Sequence, residues 1–262
     1  MRTIITGAAS GIGLETARIF ATSASGEAPA DLLLVDRDSA GLDAAAHSLG
    51  GAARVLTHVA DLADPGALAL VVARAEKEFG GLETLVSNAG AIHSFPLAEL
   101  SVAEFDRLFA INARALLILA QKAYPLLKVS RGSIVVTIST AAEHPAVPLG
   151  AYSASKAAVL MLVRQLAAEW GPDGIRCNGV SPGPTHTAMT SAAYDDPAKR
   201  EQRGHEIPLG RVGRPVDVAR AIHFLAGPSA EYITGVNLLV DGGLSATLSR
   251  SRSSAANAMG SR

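Results

Sequence analysis

The sequence predicts one α/β domain built on a doubly wound parallel sheet with helices on both faces. Three observations carry that expectation. Short apolar runs of strand length alternate with longer amphipathic stretches along most of the chain. A glycine-rich turn, Thr6-Gly-Ala-Ala-Ser-Gly-Ile-Gly13, joins the first apolar run to the first amphipathic one. Gly7, Asn88, Ser139 and Pro182 all fall where apolar runs end, and ligands of parallel sheets bind at the carboxyl ends of the strands. Because crossovers between parallel strands are right-handed, such a chain winds in both directions from its middle.

Composition bounds the function. A chain of 262 residues, 48% hydrophobic and 18% charged, suffices for one large core. A net charge of −1 gives no electrostatic reason to expect nucleic acid or an anionic membrane as partner, which leaves small-molecule chemistry. The single cysteine, Cys177, cannot form an internal disulfide, and no Cys/His cluster has metal-ligand spacing, so no metal is expected. No signal peptide precedes Arg2-Thr3-Ile4-Ile5-Thr6 and no apolar run reaches ~18 residues. A soluble, cytoplasmic protein is the expectation.

In chain order, residues 2–6 read as the first strand and Leu14 to Ala21 as the first helix. Between them Gly7, Gly11 and Gly13, with Ser10 and Ile12, leave room for a tight turn and for close approach of a pyrophosphate. The helix that follows offers it free N–H groups and a partial positive charge. Ser23 to Ala30 reads as an exposed loop without evident chemistry. The second strand, Leu32 to Val35, ends at Asp36, whose carboxylate can accept hydrogen bonds from a ribose diol and would repel a 2′-phosphate. NAD is therefore favoured over NADP, although Arg37 follows at once and could pair with a phosphate. The third strand, about 53–59, ends near Asp61-Leu62, and Asp64-Pro65 makes an N-cap and first-turn pair for a helix running to Phe79. The fourth, Thr84 to Ser87, delivers Asn88-Ala89-Gly90, and His93-Ser94-Phe95 begins one wall of a site.

Asn112 sits in a helical pattern that continues into the apolar stretch Leu116 to Tyr124, too apolar for a one-sided surface helix. That stretch is expected to pack on the sheet and against another subunit. Ser133 to Ile138 reads as a buried strand ending at Ser139, 13 positions before Tyr152. The intervening Thr140 to Leu149 forms a second wall, in which His144 either contacts a substrate hydroxyl or is only a polar loop residue. Tyr152 and Lys156 lie one helical turn apart on one face. An ammonium there favours the phenolate and is expected to pull the phenol from ~10 toward neutral, giving a proton shuttle. The sixth strand, Cys177 to Val180, runs into Ser181-Pro-Gly-Pro-Thr-His-Thr-Ala-Met189, and 187–208 reads as a polar, variable lid. A helix at 219–226 and a strand at 236–240 close a domain of residues 1–243, leaving 244–262 as a solvated, disordered tail.

Together these motifs resemble the short-chain dehydrogenase/reductase family, with its Rossmann-type sheet, over roughly residues 2 to 243. The resemblance implies a catalytic tetrad of Asn112, Ser139, Tyr152 and Lys156, with Asn112 distorting its helix and holding a water that links the lysine to bulk solvent. It further implies that Asp61 and Leu62 contact the adenine and that Asn88, Ala89 and Gly90 line its ribose. Pro182, Gly183 and Thr187, with Thr185 as a second candidate, would grip the nicotinamide end, which Tyr152 and Lys156 also touch. His93, His144, Leu149 and Pro184 are left as substrate contacts. Relatives build a dimer face from the last helix and strand, so a homo-oligomer, dimer or tetramer, is implied. The family usually has a second Asn where this chain has Ser87, a departure that bears on a structural hydrogen bond. The implied function is NAD-dependent interconversion of a secondary alcohol and a ketone, the substrate being of dihydrodiol, sugar, cyclic-alcohol or steroid-like type. Two alternatives stand beside it. A 3-oxoacyl-carrier-protein-type reductase would use NADPH, against which Asp36 speaks. A non-catalytic dinucleotide sensor would usually have lost the Tyr or the Lys.

Overall fold

A computed structural model describes residues 1–22, 29–49 and 54–247. Its strands are β1 (Arg2–Thr6), β2 (Asp31–Asp36), β3 (Val55–Val59), β4 (Thr84–Ser87), β5 (Ser133–Thr137), β6 (Arg176–Pro182) and β7 (Asn237–Val240). They form one sheet in the order β3-β2-β1-β4-β5-β6-β7, with every neighbouring pair parallel. The chain builds outward from β1 to β3, returns, and builds outward again from β4 to β7, so its direction reverses between β1 and β4. A crevice at the carboxyl ends of those two strands follows from that reversal.

The helices are α1 (Gly11–Ala21), α2 (Ser39–Leu49), α3 (Pro65–Phe79), α4 (Val102–Phe109), α5 (Ala115–Ser130), α6 (Tyr152–Trp170), α7 (Ser191–Tyr194), α8 (Pro197–His205), α9 (Pro215–Ala226) and α10 (Leu244–Thr247). Strand side chains alternate between faces, and the core divides accordingly. Ile4, Leu33 and Leu85 point to one face, where Val71, Leu119 and Val163 of α3, α5 and α6 cover them. Ile5, Leu34 and Val86 point to the other, under Phe20, Leu42 and Ile222 of α1, α2 and α9. Each such side chain, fully removed from water, contributes on the order of 1.5–3 kcal/mol. Because both faces are covered, the strands read as unbroken apolar runs rather than alternating ones.

Local signals set the boundaries. Asp64 caps α3 by accepting from the Gly66 amide (2.8 Å), Pro65 opens the helix, and Gly80 closes it at φ 71°. The stretch 187–208, read as a polar, variable lid, contains α7 and α8. Asp196 accepts from the Ala198 amide at 2.9 Å and Pro197 occupies the first turn, a helix start legible in the sequence. The expectation of a disordered tail from residue 244 fails at its start. Leu244–Thr247 closes as a helical turn because Asp241 accepts from the amides of Gly243 (2.9 Å) and Ser245 (2.8 Å). The rest of that tail, 248–262, and most of the loop read at Ser23 to Ala30 lie outside the described residues.

Candidate active site

A cleft of about 890 Å³ opens over the carboxyl ends of the strands and is lined along its length by residues singled out above. At one end stand Gly7, Ser10, Gly11, Ile12, Asp36 and Arg37, with Asp61 and Leu62 beside them. Gly7 (φ 69°) and Gly11 (φ 56°) hold left-handed backbone, which is why side-chain-bearing residues are unsuited there. Gly13 was expected to face the pyrophosphate but does not line the cleft. It is buried where a Cβ would lie 2.0 Å from the Gly7 carbonyl oxygen and 2.7 Å from Asn88 Nδ2, so its role is to let the loop fold onto the sheet. Asp36 is fixed by two backbone amides, Ala9 N–H to Oδ2 (3.1 Å) and Asp38 N–H to Oδ1 (3.2 Å). Its carboxylate therefore meets the cleft in one orientation. The Asp61 carboxyl is held below its usual range chiefly by the Ala63 amide and also by Arg107, whose Nη2 lies 3.4 Å from Oδ2.

In the middle of the cleft, a string of hydrogen bonds runs across adjacent strand ends. The Thr6 hydroxyl accepts from the Asn88 and Ala89 amides (3.0 and 3.1 Å), and Asn88 Nδ2 donates to the Thr6 carbonyl (3.1 Å). Asn88 Oδ1 accepts from the Thr137 hydroxyl (3.0 Å), and the Thr137 carbonyl accepts from Lys156 Nζ (2.9 Å). Asn88 thus spends its side-chain hydrogen bonds on the sheet while lining the cleft with Ala89 and Gly90.

The four residues of the implied tetrad converge here. Ser139 follows β5, its Oγ accepts from the Ala141 amide at 3.1 Å, and it lines the cleft together with Tyr152. Lys156 is 4% exposed, and its Nζ lies 5.8 Å from the centre of the Tyr152 ring. Asn112 is buried and sits in a π-helical turn, Ala110–Arg114, between α4 and α5. Its Oδ1 accepts from the Ala91 amide (2.8 Å) and its Nδ2 donates to the Ala91 carbonyl (3.0 Å) and to Ser155 Oγ (2.9 Å). A wide turn that aims a side chain at a neighbouring strand end is a common setting for such distortions. This burial rules out a surface role for Asn112.

One expectation is corrected. The phenol of Tyr152 was expected to titrate low because of the neighbouring ammonium. Burial instead pushes it up, with the Ser139 hydroxyl pulling the other way, and burial pulls Lys156 down to about 8. Removing both groups from water disfavours both charges, and that outweighs their attraction across several ångströms.

Toward the far end the cleft is walled by His93, His144 and Leu149, and by Pro182, Gly183, Pro184 and Thr185, while Thr187 stands against the glycine loop, where a Cβ on Gly11 would lie 3.4 Å from it. Gly150, at φ 51°, is pressed against the Phe95 carbonyl, where a Cβ would come to 2.2 Å; this joins the two walls just before Tyr152. Thr185 is buried and bonds within its own loop, its Oγ1 donating to the Gly183 carbonyl (3.0 Å). Tyr194 and Arg203 of the lid, with Leu244 and Ser245, also line the cleft and were not anticipated. The helix-start signal at Asp196-Pro197 could have found Arg203, since it fixes which residues of α8 share a face.

Known proteins resemble this chain over most of its length. The family model described as enoyl-(acyl carrier protein) reductase matches residues 7–245. The chain is 39% identical to a galactitol 2-dehydrogenase (L-tagatose-forming) of Cereibacter sphaeroides over 246 residues, covering 91% of this chain and 92% of that one. It is 34% identical to a 2-(R)-hydroxypropyl-CoM dehydrogenase of Xanthobacter autotrophicus, covering 93% and 98%. Among solved structures, a 3-ketoacyl-(acyl-carrier-protein) reductase from Brucella melitensis complexed with NADH superposes with a TM-score of 0.85 at 34% identity, covering 93% and 98% of the two chains. With the sheet order, the glycine loop and these likenesses in hand, the chain belongs to the short-chain dehydrogenase/reductase family and is an NAD(P)-dependent oxidoreductase acting on CH–OH groups.

Proposed function

We propose that this enzyme is an NAD-linked dehydrogenase that interconverts a small polar secondary alcohol and its ketone. The observation that carries the cofactor preference is Asp36, an anion locked in place by two amides where the adenosine ribose would lie. The residues present fit a dinucleotide: left-handed glycines at the first turn, helix amides behind them, and a cleft reaching from Asp36 to Tyr152. Bound there, the nicotinamide ring accepts or supplies the hydride.

The protein's own residues handle the proton. Ser139 holds the substrate oxygen against the Tyr152 hydroxyl, and Tyr152 takes the alcohol proton in oxidation or gives one to the carbonyl in reduction. A phenol raised by burial rests protonated, the state needed for reduction. In oxidation the phenolate forms only as Lys156 becomes or stays cationic, so the two groups share one proton's fate. Asn112 fixes the Ala91 strand end and α6 to each other beneath this pair. The domain of residues 1–243 and the lid of 187–208 belong to the same reading, as does a cytoplasmic location. Exposed Leu238 and Leu239 on the edge strand β7 support a homo-oligomer, a dimer or tetramer.

Among substrates, the likeness to the galactitol 2-dehydrogenase favours a polyol over a carrier-bound acyl group, and Asp36 opposes the NADPH that the latter would use. The test is NAD reduction across a panel of secondary alcohols, with Tyr152→Phe as control. Turnover by the wild type and a loss of roughly a thousandfold or more in the variant are expected. Retention of more than about a tenth of kcat would remove Tyr152 from its role.

A further inference from the structure

The face that α8 turns inward is arginine where an apolar stripe would be usual. Its least exposed residues are Arg200 and Arg203, both only partly covered, and buried Gly204, followed by buried Ile207, an i, i+3, i+4, i+7 set. The helix end is held closely. A Cβ on Gly204 would lie 3.0 Å from the Gly210 carbonyl oxygen and 3.2 Å from the Arg211 backbone, so that residue packs without a side chain. Arg200 is engaged, its Nη1 donating to the Tyr194 carbonyl at 2.8 Å.

Arg203 differs. Its side chain lines the same cleft as Tyr152 and Ser139, and its ion-pair partner is Glu206, three residues on. Both members of that pair are well exposed, 39% and 53%, and an ion pair of this kind is worth at most about 1 kcal/mol, so it exchanges readily. The other arginines of the cleft, Arg37 and Arg107, stand beside Asp61. Lys156 is buried on the Thr137 carbonyl. Among the described residues, Arg203 is thus the guanidinium that lines the cleft from the lid, apart from Asp61.

We infer that the substrate carries an anionic group, a carboxylate being the simplest case, remote from its carbinol carbon, and that Arg203 receives it in place of Glu206. A planar fork of donors suits two carboxylate oxygens at once. This rests on the dehydrogenase reading above and narrows its substrate class.

The experiment uses a series of (ω−1)-hydroxy acids of increasing chain length, each paired with the diol that has CH2OH in place of the carboxylate. At one chain length the acid should be preferred in kcat/KM, and that preference should weaken with added NaCl. In Arg203→Gln the acid-to-diol ratio should fall by roughly tenfold or more, mainly through KM of the acid, with Arg203→Lys recovering part of it. Diols used as well as acids at every length, or a ratio unmoved in Arg203→Gln, would overturn the inference while leaving the dehydrogenase reading intact. If no pair is oxidised, the reading of the reaction fails instead. The anion site is then judged by calorimetric titration of the unreactive alkanoates into NADH-saturated protein: heats lost in Arg203→Gln support it, and equal or absent heats overturn it.

Discussion

Replacing Lys156 by Met should change stability in a way that depends on pH with a defined sign. The ammonium is 4% exposed, and burial holds it at about 8 where a lysine ordinarily titrates at 10.5. The folded state therefore binds this proton more weakly than the unfolded chain. Its cost to stability is present in full below a pH of about 8 and fades as the pH rises toward the unfolded value. The fall from 10.5 to about 8 corresponds to roughly 3 kcal/mol. Met removes the charge, leaves a similar apolar stem, and strips the Thr137 carbonyl of its 2.9 Å donor. That last loss, ~1–3 kcal/mol, is independent of pH and drops out when the pH dependence alone is read. The unfolding free energy of the wild type should accordingly gain on that of Lys156→Met by roughly 2–3 kcal/mol between about pH 7 and pH 10. Urea unfolding of both proteins, without nucleotide and at one fixed protein concentration, measures it. A difference flat in pH, or one moving in favour of the variant as pH rises, would refute the reasoning: the ammonium would then be buried without penalty.

Two further expectations concern the nucleotide end. Asp36→Ser removes a carboxylate that would repel a 2′-phosphate by about 4 kcal/mol at ~4 Å and an effective dielectric of ~20, and even a third of that is about tenfold. The ratio of kcat/KM for NADP to NAD should rise by at least roughly tenfold, with Arg37 then free to pair with the phosphate; an unchanged ratio would assign the preference to Arg37. Gly13→Ala should destabilise the protein by more than ~3 kcal/mol, since the new methyl group would lie 2.0 Å from the Gly7 carbonyl oxygen. A soluble variant melting with the wild type would show that the loop has room to shift.

Much of this site is local in sequence and so was legible there. β2 ends at Asp36 because an apolar run stops at a charge, and Tyr152 and Lys156 share a face because the helical repeat demands it. The unreadable parts are those decided by distant segments. Whether the Tyr152 phenol goes up or down depends on how far the α6 face, β5 and the lid exclude water, and none of that is encoded between positions 152 and 156. Gly13 lies in the glycine motif, yet its neighbour is Asn88, 75 positions away. Within the lid α8 went unread because a helix whose inward stripe is Arg200 and Arg203 has no apolar periodicity to detect; only its capping Asp196-Pro197 betrayed it.

The string from Thr6 through Asn88 and Thr137 to Lys156 has a consequence for refolding. The first two links join different strands across 82 and 49 positions, and the third joins β5 to α6 across 19. Long-range parallel pairing is slow to form, because each loop must close before any contact rewards it. α5 and α6 can acquire helical structure and collapse early, but the glycine loop has its support from Asn88 only when β1 and β4 stand side by side. Helix content regained after dilution from denaturant is thus expected to return ahead of activity.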